Sequence, residues 1–139
     1  MPPGRRGGLP GGESMAILDT NVLIDFINGD EDVRSRIGDM ASGGLAATTI
    51  ITEYELLKGT RKTEEDEAVA KVLGSINVYQ LDYETVRATS SIFKELKKIG
   101  KPIPEPDILI AGVAIARGET LVSRDEHFRK VPGLELLLI

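Results

Sequence analysis

The stretch AILDTNVLID, residues 16–25, places a carboxylate directly after a short apolar segment. Ala16, Ile17 and Leu18 are predicted to form a buried strand, and Asp19 lies where the chain leaves that strand. Burial of a carboxylate is unfavourable unless the group is paired or hydrogen-bonded. Asp19 is therefore expected either to cap the helix that follows or to lie beside a cation.

Short apolar runs alternate with helical segments through the rest of the chain. Continuous apolar strands are typical of a sheet covered on both faces, and intervening helices indicate parallel βαβ units. The sequence thus predicts a three-layer α/β/α domain around a mostly parallel five-stranded sheet. The predicted strands are residues 16–18, 45–48, 77–79, 120–122 and 134–138, and the predicted helices are residues 22–27, 32–41, 51–58, 64–74, 83–99 and 108–117.

Helix-end signals support these assignments. Thr63 and Asp82 are predicted N-caps, and Gly100 and Gly118 stand where a left-handed residue commonly follows a helix. Residues 1–14, MPPGRRGGLPGGES, cannot contribute a core and are expected to form a flexible arm. Residues 15–139 are then a single domain, and Met15 is the preferred start of translation.

Composition narrows the class of protein. The 139 residues contain no cysteine, which excludes disulfides, zinc ribbons and thiol catalysis and suits a reducing compartment. No secretory signal and no membrane-spanning run is apparent, so a cytoplasmic protein without membrane contact is expected. The net charge of −5 weighs slightly against a nucleic-acid binder, although carboxylates gathered around a cation would distort that sum.

Three acids occupy unusual places in the predicted fold. Asp125 follows the strand that ends at Val122, as Asp19 follows the first strand, and Asp107 begins a helix face that continues with Ala111. Each has an ordinary explanation as well. Asp19 suits a helix cap, Asp107 suits the positive end of a helix dipole, and Asp125 suits a surface turn.

The fourth candidate, Glu53, lies in TTIITEYELLKG, residues 48–59. On a helix it shares a face with Ile50, Leu56 and Leu57, the face expected to pack on the sheet. Glu55 lies off that face and is expected to be solvated. An ion pair with a basic residue at the edge of the core explains Glu53 equally well.

Together, four acids directed at one edge of a sheet would repel one another and raise their pKa values unless cations were present. Oxygen ligands without cysteine favour hard cations, here Mg²⁺ or Mn²⁺. One or two such ions can activate water and stabilise charge during phosphodiester hydrolysis. His127, by contrast, is interpreted as an ordinary surface side chain.

The motifs LDTNVLID (18–25), TEYELLKG (52–59), PEPDILIAGVA (104–114) and LVSRDEHF (121–128) resemble those of the PIN-domain ribonucleases. The likeness is greatest to the VapC-type toxins of toxin–antitoxin pairs, and it extends over residues 15–139. Many relatives have Thr at Ser123 and Asn at Asp125, with an acid a few residues later, whereas His127 and Phe128 follow here. The resemblance implies that Asp19, Glu53, Asp107 and Asp125 bind the metal and that Asn21 and Ser123 arrange them.

The resemblance also implies a function. It predicts RNA cut by metal-activated water, a homodimer, and a small VapB-type antitoxin that covers the site. Three basic clusters could hold RNA phosphates: Lys58, Arg61 and Lys62; Lys94, Lys97, Lys98 and Lys101; and Arg124, Arg129 and Lys130. Each is explained as well by a solvated helix face, which is the preferred interpretation of the second cluster.

Other functions fit parts of the same pattern. A PIN nuclease of RNA maturation and a catalytically silent PIN interaction module are the alternatives. A phosphatase of the haloacid-dehalogenase type is disfavoured because Asn21 stands where its second Asp would be.

Overall fold

The computed structural model describes residues 14–139, so the predicted arm lies outside the described residues except for Ser14. The five strands are β1 (Ala16–Leu18), β2 (Ala46–Thr49), β3 (Asn77–Tyr79), β4 (Thr120–Ser123) and β5 (Leu136–Leu138). The helices are α1 (Thr20–Ile27), α2 (Glu31–Ser42), α3 (Ile50–Lys58), α4 (Thr63–Leu73), α5 (Tyr83–Lys98) and α6 (Glu105–Arg117), and a 3-10 helix covers Glu126–Lys130.

The sheet is wholly parallel, in the order β3-β2-β1-β4-β5. β1 and β4 are neighbours, and Leu18 pairs with Val122 at their carboxyl ends. The predicted α/β/α class is confirmed, and each predicted element is present with its ends moved by a few residues. The largest shift is at α6, which begins at Glu105 rather than at Ile108.

Three of the four predicted helix ends have their expected geometry and one does not. Gly100 follows Ile99, the C-cap of α5, with a left-handed φ of +68°. The carboxylate of Asp82 accepts the N–H of Thr85 at 2.9 Å, which confirms that cap. Gly118 ends α6 with φ +65°, a left-handed conformation that glycine adopts without strain. The prediction for Thr63 was wrong, because Lys62 occupies the cap position and Thr63 is the first helical residue.

A hydrophobic core lies on each face of the sheet. Alternate residues of β1 point to opposite faces, so Ile17 joins Ile92 of α5 and Ile110 of α6 in one core. Leu18 joins α1, α2 and α4 in the other core, with Val22 as a neighbour. Coverage on both faces explains why β1 is apolar throughout rather than alternating. None of the helices within residues 14–139 is long and apolar enough to cross a membrane.

The two helices of the first core approach each other closely at Gly112. A methyl group there would overlap the Thr89 hydroxyl and lie 3.2 Å from the Thr89 backbone nitrogen. The hydroxyl cannot easily turn aside, since it donates to the Thr85 carbonyl at 2.7 Å. Gly112 therefore sets the distance between α5 and α6, and α6 carries Asp107 at its start.

This close approach predicts opposite effects for two glycine-to-alanine changes. Gly112→Ala should destabilise the fold by about 1–3 kcal/mol, because it overpacks the contact between α5 and α6. Gly38→Ala, in α2 with open space around it, should be neutral or stabilise by up to about 1 kcal/mol. Urea unfolding measures both changes. A Gly112→Ala protein as stable as the parent would contradict the close approach.

Candidate active site

Asp19 is buried at the carboxyl end of β1, with only 4% of the residue exposed. Its Oδ1 accepts the N–H of Thr20 at 2.8 Å, so Asp19 does cap α1. Its Oδ2 accepts the Ser123 hydroxyl at 2.7 Å. The Asp19 carboxylate can therefore cap α1 and also belong to a cluster of acids.

Ser123 joins two of the predicted site residues. It is fully buried at the end of β4, and its hydroxyl accepts the N–H of Asp125 at 3.0 Å while donating to Asp19. The two strands lie side by side in parallel, which brings their carboxyl ends together. A single hydroxyl thus contacts both Asp19 and Asp125, and the role of Ser123 in arranging the site stays a prediction.

On α3 the structure brings Glu55 to the site rather than Glu53. The Oε1 of Glu55 accepts the Thr20 hydroxyl at 2.6 Å, and the Thr20 and Thr52 hydroxyls are 3.0 Å apart. The negative charge of Glu55 acts on Asp19. The expectation that Glu55 is solvated was therefore wrong. Glu53 is half-buried in the first turn, and within residues 14–139 its side chain makes no hydrogen bond or ion pair.

The predicted phase of α3 was wrong because apolar residues were taken to define its inner face. Thr52 and Leu56 are buried, whereas Leu57 is 42% exposed. Thr49 caps the helix and its hydroxyl accepts the Thr52 N–H at 3.1 Å, which fixes the start of the helix. The spacing of Thr49, Thr52 and Glu55 by three residues was the signal that could have identified Glu55.

Asp107 and Asp125 meet around His127. The His127 Nε2 is 2.9 Å from Oδ2 of Asp107, and its Nδ1 is 3.1 Å from Oδ1 of Asp125. Asp125 also accepts the backbone N–H of His127 at 3.1 Å and so caps the 3-10 helix. His127 belongs to the site, and its interpretation as an ordinary surface side chain was wrong.

Two of the clustered carboxylates, Asp107 and Asp19, have raised pKa values. Burial raises the pKa of Asp107 to about 6, with the charge of Asp19 as the next cause. Glu55 and Asp125 raise this pKa further, and His127 lowers it. The pKa of Asp19 is also raised, chiefly by burial, although its hydrogen bonds to Ser123 and Thr20 oppose that effect.

Two other residues of the first motif lie outside this cluster. Asn21 is exposed, and its side chain makes no hydrogen bond to residues 14–139, so its predicted supporting role has no visible contact. Asp25 pairs with Arg124 at 3.0 Å, and Asp30 pairs with the same guanidinium at 3.3 Å. Arg124 is thereby engaged by two acids beside the site.

The donor set fits a divalent cation. Within the described part of the chain, no lysine or arginine forms an ion pair with any of the four acids. Glu119, another buried acid, shows the contrast, because Met15 N–H and the Tyr79 hydroxyl donate to its two oxygens. Asp107 accepts no such hydrogen bond among residues 14–139, and the buried Nε2 of His127 has no hydrogen-bond partner there.

The raised pKa predicts a pH-dependent effect of Asp107→Asn in the metal-free protein. The pKa of Asp107 in the folded protein is about 6, against the ordinary 3.8 of an aspartate, so the stability of the parent falls as pH rises between these two values. Asp107→Asn should therefore stabilise at pH 8, on the order of 1–2 kcal/mol, and much less at pH 4. Thermal unfolding with a chelator measures this. The exposed Glu67→Gln is the control, and an equal gain for Asp107→Asn at both pH values would contradict the prediction.

Comparison with known proteins agrees with the site. A family model of the PIN domain matches residues 16–134. The tRNA(fMet)-specific endonuclease VapC of Salmonella typhimurium is 35% identical over 126 residues, covering 86% of this chain and 94% of that protein. Ribonuclease VapC1 of Methanocaldococcus jannaschii is 28% identical over 120 residues, covering 86% of this chain and 82% of that protein.

A solved structure extends the likeness to the fold. The DNA-bound VapBC of Salmonella typhimurium matches with a TM-score of 0.78 and 28% identity, covering 89% of this chain and 97% of that chain. The resemblance noted in the four sequence motifs is thus confirmed by independent comparison. The chain belongs to the PIN-domain family, in its VapC branch.

Proposed function

We propose that this protein is a metal-dependent endoribonuclease that acts as a VapC-type toxin. The observation that carries the proposal is the convergence of four carboxylates, from four separate segments, at the carboxyl edge of the sheet. Ligands of open parallel sheets bind at this edge. The names of the curated relatives, which are ribonucleases and a tRNA endonuclease, support RNA as the substrate.

The proposed cofactor is Mg²⁺ or Mn²⁺, held by Asp19, Glu55, Asp107 and Asp125. Such an ion, when bound, supplies activation of water and stabilisation of charge on a phosphodiester. Glu55 replaces Glu53 in this set because it is the glutamate whose charge acts on Asp19 and Asp107. Their mutual repulsion without a cation gives a physical reason for the metal dependence.

The remaining polar contacts hold these carboxylates in place before the substrate arrives. Ser123 and the N–H of Thr20 fix the two oxygens of Asp19, and the Thr20 hydroxyl holds Glu55. Asp19 and Glu55 are therefore each oriented by neutral donors, which leaves their negative charges available to a cation. Pre-organisation of this kind avoids rearrangement during the reaction.

Contacts with RNA are proposed for the exposed residues of α3. Tyr54 is 63% exposed, and the Lys58 ammonium lies 5.2 Å from the centre of its ring. An aromatic face beside a cation suits unstacked bases and the phosphates that join them. Arg124 is a weaker candidate than the sequence indicated, because Asp25 and Asp30 already engage it.

The proposed partner is a VapB-type antitoxin, as in the Salmonella typhimurium VapBC structure. An apolar groove between α1, α3 and α4 adjoins Glu55 and is lined by Ile24, Ile27, Leu56 and Val69. An apolar segment of the antitoxin laid in this groove would reach the acids. A homodimer and a cytoplasmic location are also proposed, the first on the family resemblance and the second on the absence of cysteine.

The matched pair Glu55→Gln and Glu53→Gln tests the catalytic assignment. Glu55→Gln and Asp107→Asn should each reduce Mg²⁺- or Mn²⁺-dependent RNA cleavage by about 100-fold, because each removes a charge from the cluster. Glu53→Gln should stay within about twofold of the parent, since its carboxylate lies outside the cluster. Cleavage of labelled RNA with chelator, Mg²⁺ or Mn²⁺ measures this. Absence of cleavage by the parent would favour a silent interaction module.

The groove predicts how the toxin and its antitoxin can be separated. Expression of the parent should arrest bacterial growth, and co-expression of an adjacent antitoxin gene should relieve the arrest. Ile24→Glu places a charge in the groove. The variant toxin should still arrest growth, but the antitoxin should no longer relieve that arrest. Val86→Glu, at an exposed position of α5, is the matched control. The antitoxin should relieve the growth arrest caused by this variant as it does that caused by the parent. Relief of both variants would exclude the groove.

A further inference from the structure

His127 is the single histidine of the chain, and the core holds its ring in place. The ring packs edge-to-face on Phe128, with centroids 4.7 Å apart, and Phe128 is 1% exposed. Only 21% of the His127 side chain is exposed. The imidazole therefore has a defined direction, toward the acids and away from solvent.

The two ring nitrogens of His127 have different surroundings. Nδ1 lies 3.1 Å from Oδ1 of the Asp125 carboxylate. Nε2 lies 2.9 Å from Oδ2 of Asp107 but is not aligned for a hydrogen bond with it. Within residues 14–139 this buried nitrogen has no hydrogen-bond partner, an arrangement that is rare and unfavourable.

A metal ion would satisfy this nitrogen. Neighbouring ligands around an ion with bonds of about 2.1 Å are about 3.0 Å apart when they subtend a right angle. The separation of 2.9 Å between Nε2 and the Asp107 oxygen matches that spacing. Ligand atoms of Asp107, Asp125 and His127 all lie within 4.8 Å of one another.

We propose that Nε2 of His127 is a ligand of the divalent ion, together with Asp107 and Asp125. The inference rests on the proposed metal-dependent function, and it adds a prediction of which divalent ion the site prefers. Mn²⁺ and the later first-row ions accept an imidazole nitrogen among their ligands more readily than Mg²⁺, which dehydrates reluctantly and keeps oxygen ligands. The site therefore selects a transition ion, for which Mn²⁺ is the probe, over Mg²⁺.

The test uses the full chain without a polyhistidine tag, so that every imidazole signal comes from His127. Pulsed electron paramagnetic resonance of bound Mn²⁺ should show nitrogen coupling of a directly bound imidazole. Labelling the protein with ¹⁵N-histidine should replace the ¹⁴N coupling with a ¹⁵N coupling. This measurement needs no substitution, so it does not depend on the folding of a variant.

Affinity measurements on His127→Ala complete the test. The dissociation constant for Mn²⁺ should rise by about 10-fold or more, and that for Mg²⁺ should change by less than about threefold. Lys130→Ala, an exposed change on the same 3-10 helix, is the control and should leave both constants unchanged.

Two outcomes overturn the proposal in distinguishable ways. If Mn²⁺ binds without histidine coupling and His127→Ala binds it as the parent does, His127 is only a neighbour of the site. Metal-dependent RNA cleavage by the parent would then still support the proposed function. If the parent binds neither ion and cleaves no RNA, both the histidine ligand and the proposed function are excluded.

Discussion

The hydrogen bond from Ser123 to Asp19 is the interaction on which the site depends. It joins the ends of β1 and β4, the adjacent strands at the middle of the sheet, and it provides a donor for a carboxylate that is 4% exposed. The same hydroxyl accepts a hydrogen bond from the N–H of Asp125, so it also positions the start of the loop that carries Asp125. A buried acid at a strand end is thus tolerable because the neighbouring strand ends in a hydroxyl.

Much of the fold follows from local sequence. The short apolar runs could be located to within a few residues, most clearly at β1, where burial on both faces leaves no polar position. The phase of α3 could not be found in this way. The buried face of α3 is formed by Thr52 as well as by Leu56. A threonine is buried on such a face only when its hydroxyl finds a partner elsewhere in the fold, here Thr20. Glu55 was missed for that reason.

The position of His127 was also beyond local sequence patterns. It follows Asp125 by two residues, and only the turn into a 3-10 helix aims its ring back at Asp107. Phe128 fixes that turn by entering the core. The acids that follow strands were easier to predict, since the carboxyl ends of parallel strands necessarily share one edge.

The ion pairs of Arg124 give the site a sensitivity to ionic strength. Arg124 stands between Ser123 and Asp125, and its guanidinium connects their loop to Asp25 and Asp30 across partly exposed pairs. Dissolved salt screens such pairs over a Debye length of about 8 Å at physiological concentration, whereas the buried hydroxyl contact to Asp19 is hardly screened. Rising salt therefore weakens the attachment of the Ser123–Asp125 loop through Arg124, and leaves its attachment through Ser123 almost unchanged. The stiffness of the segment around Asp125 therefore depends on ionic strength, and this effect is separate from the screening of the attraction between protein and RNA.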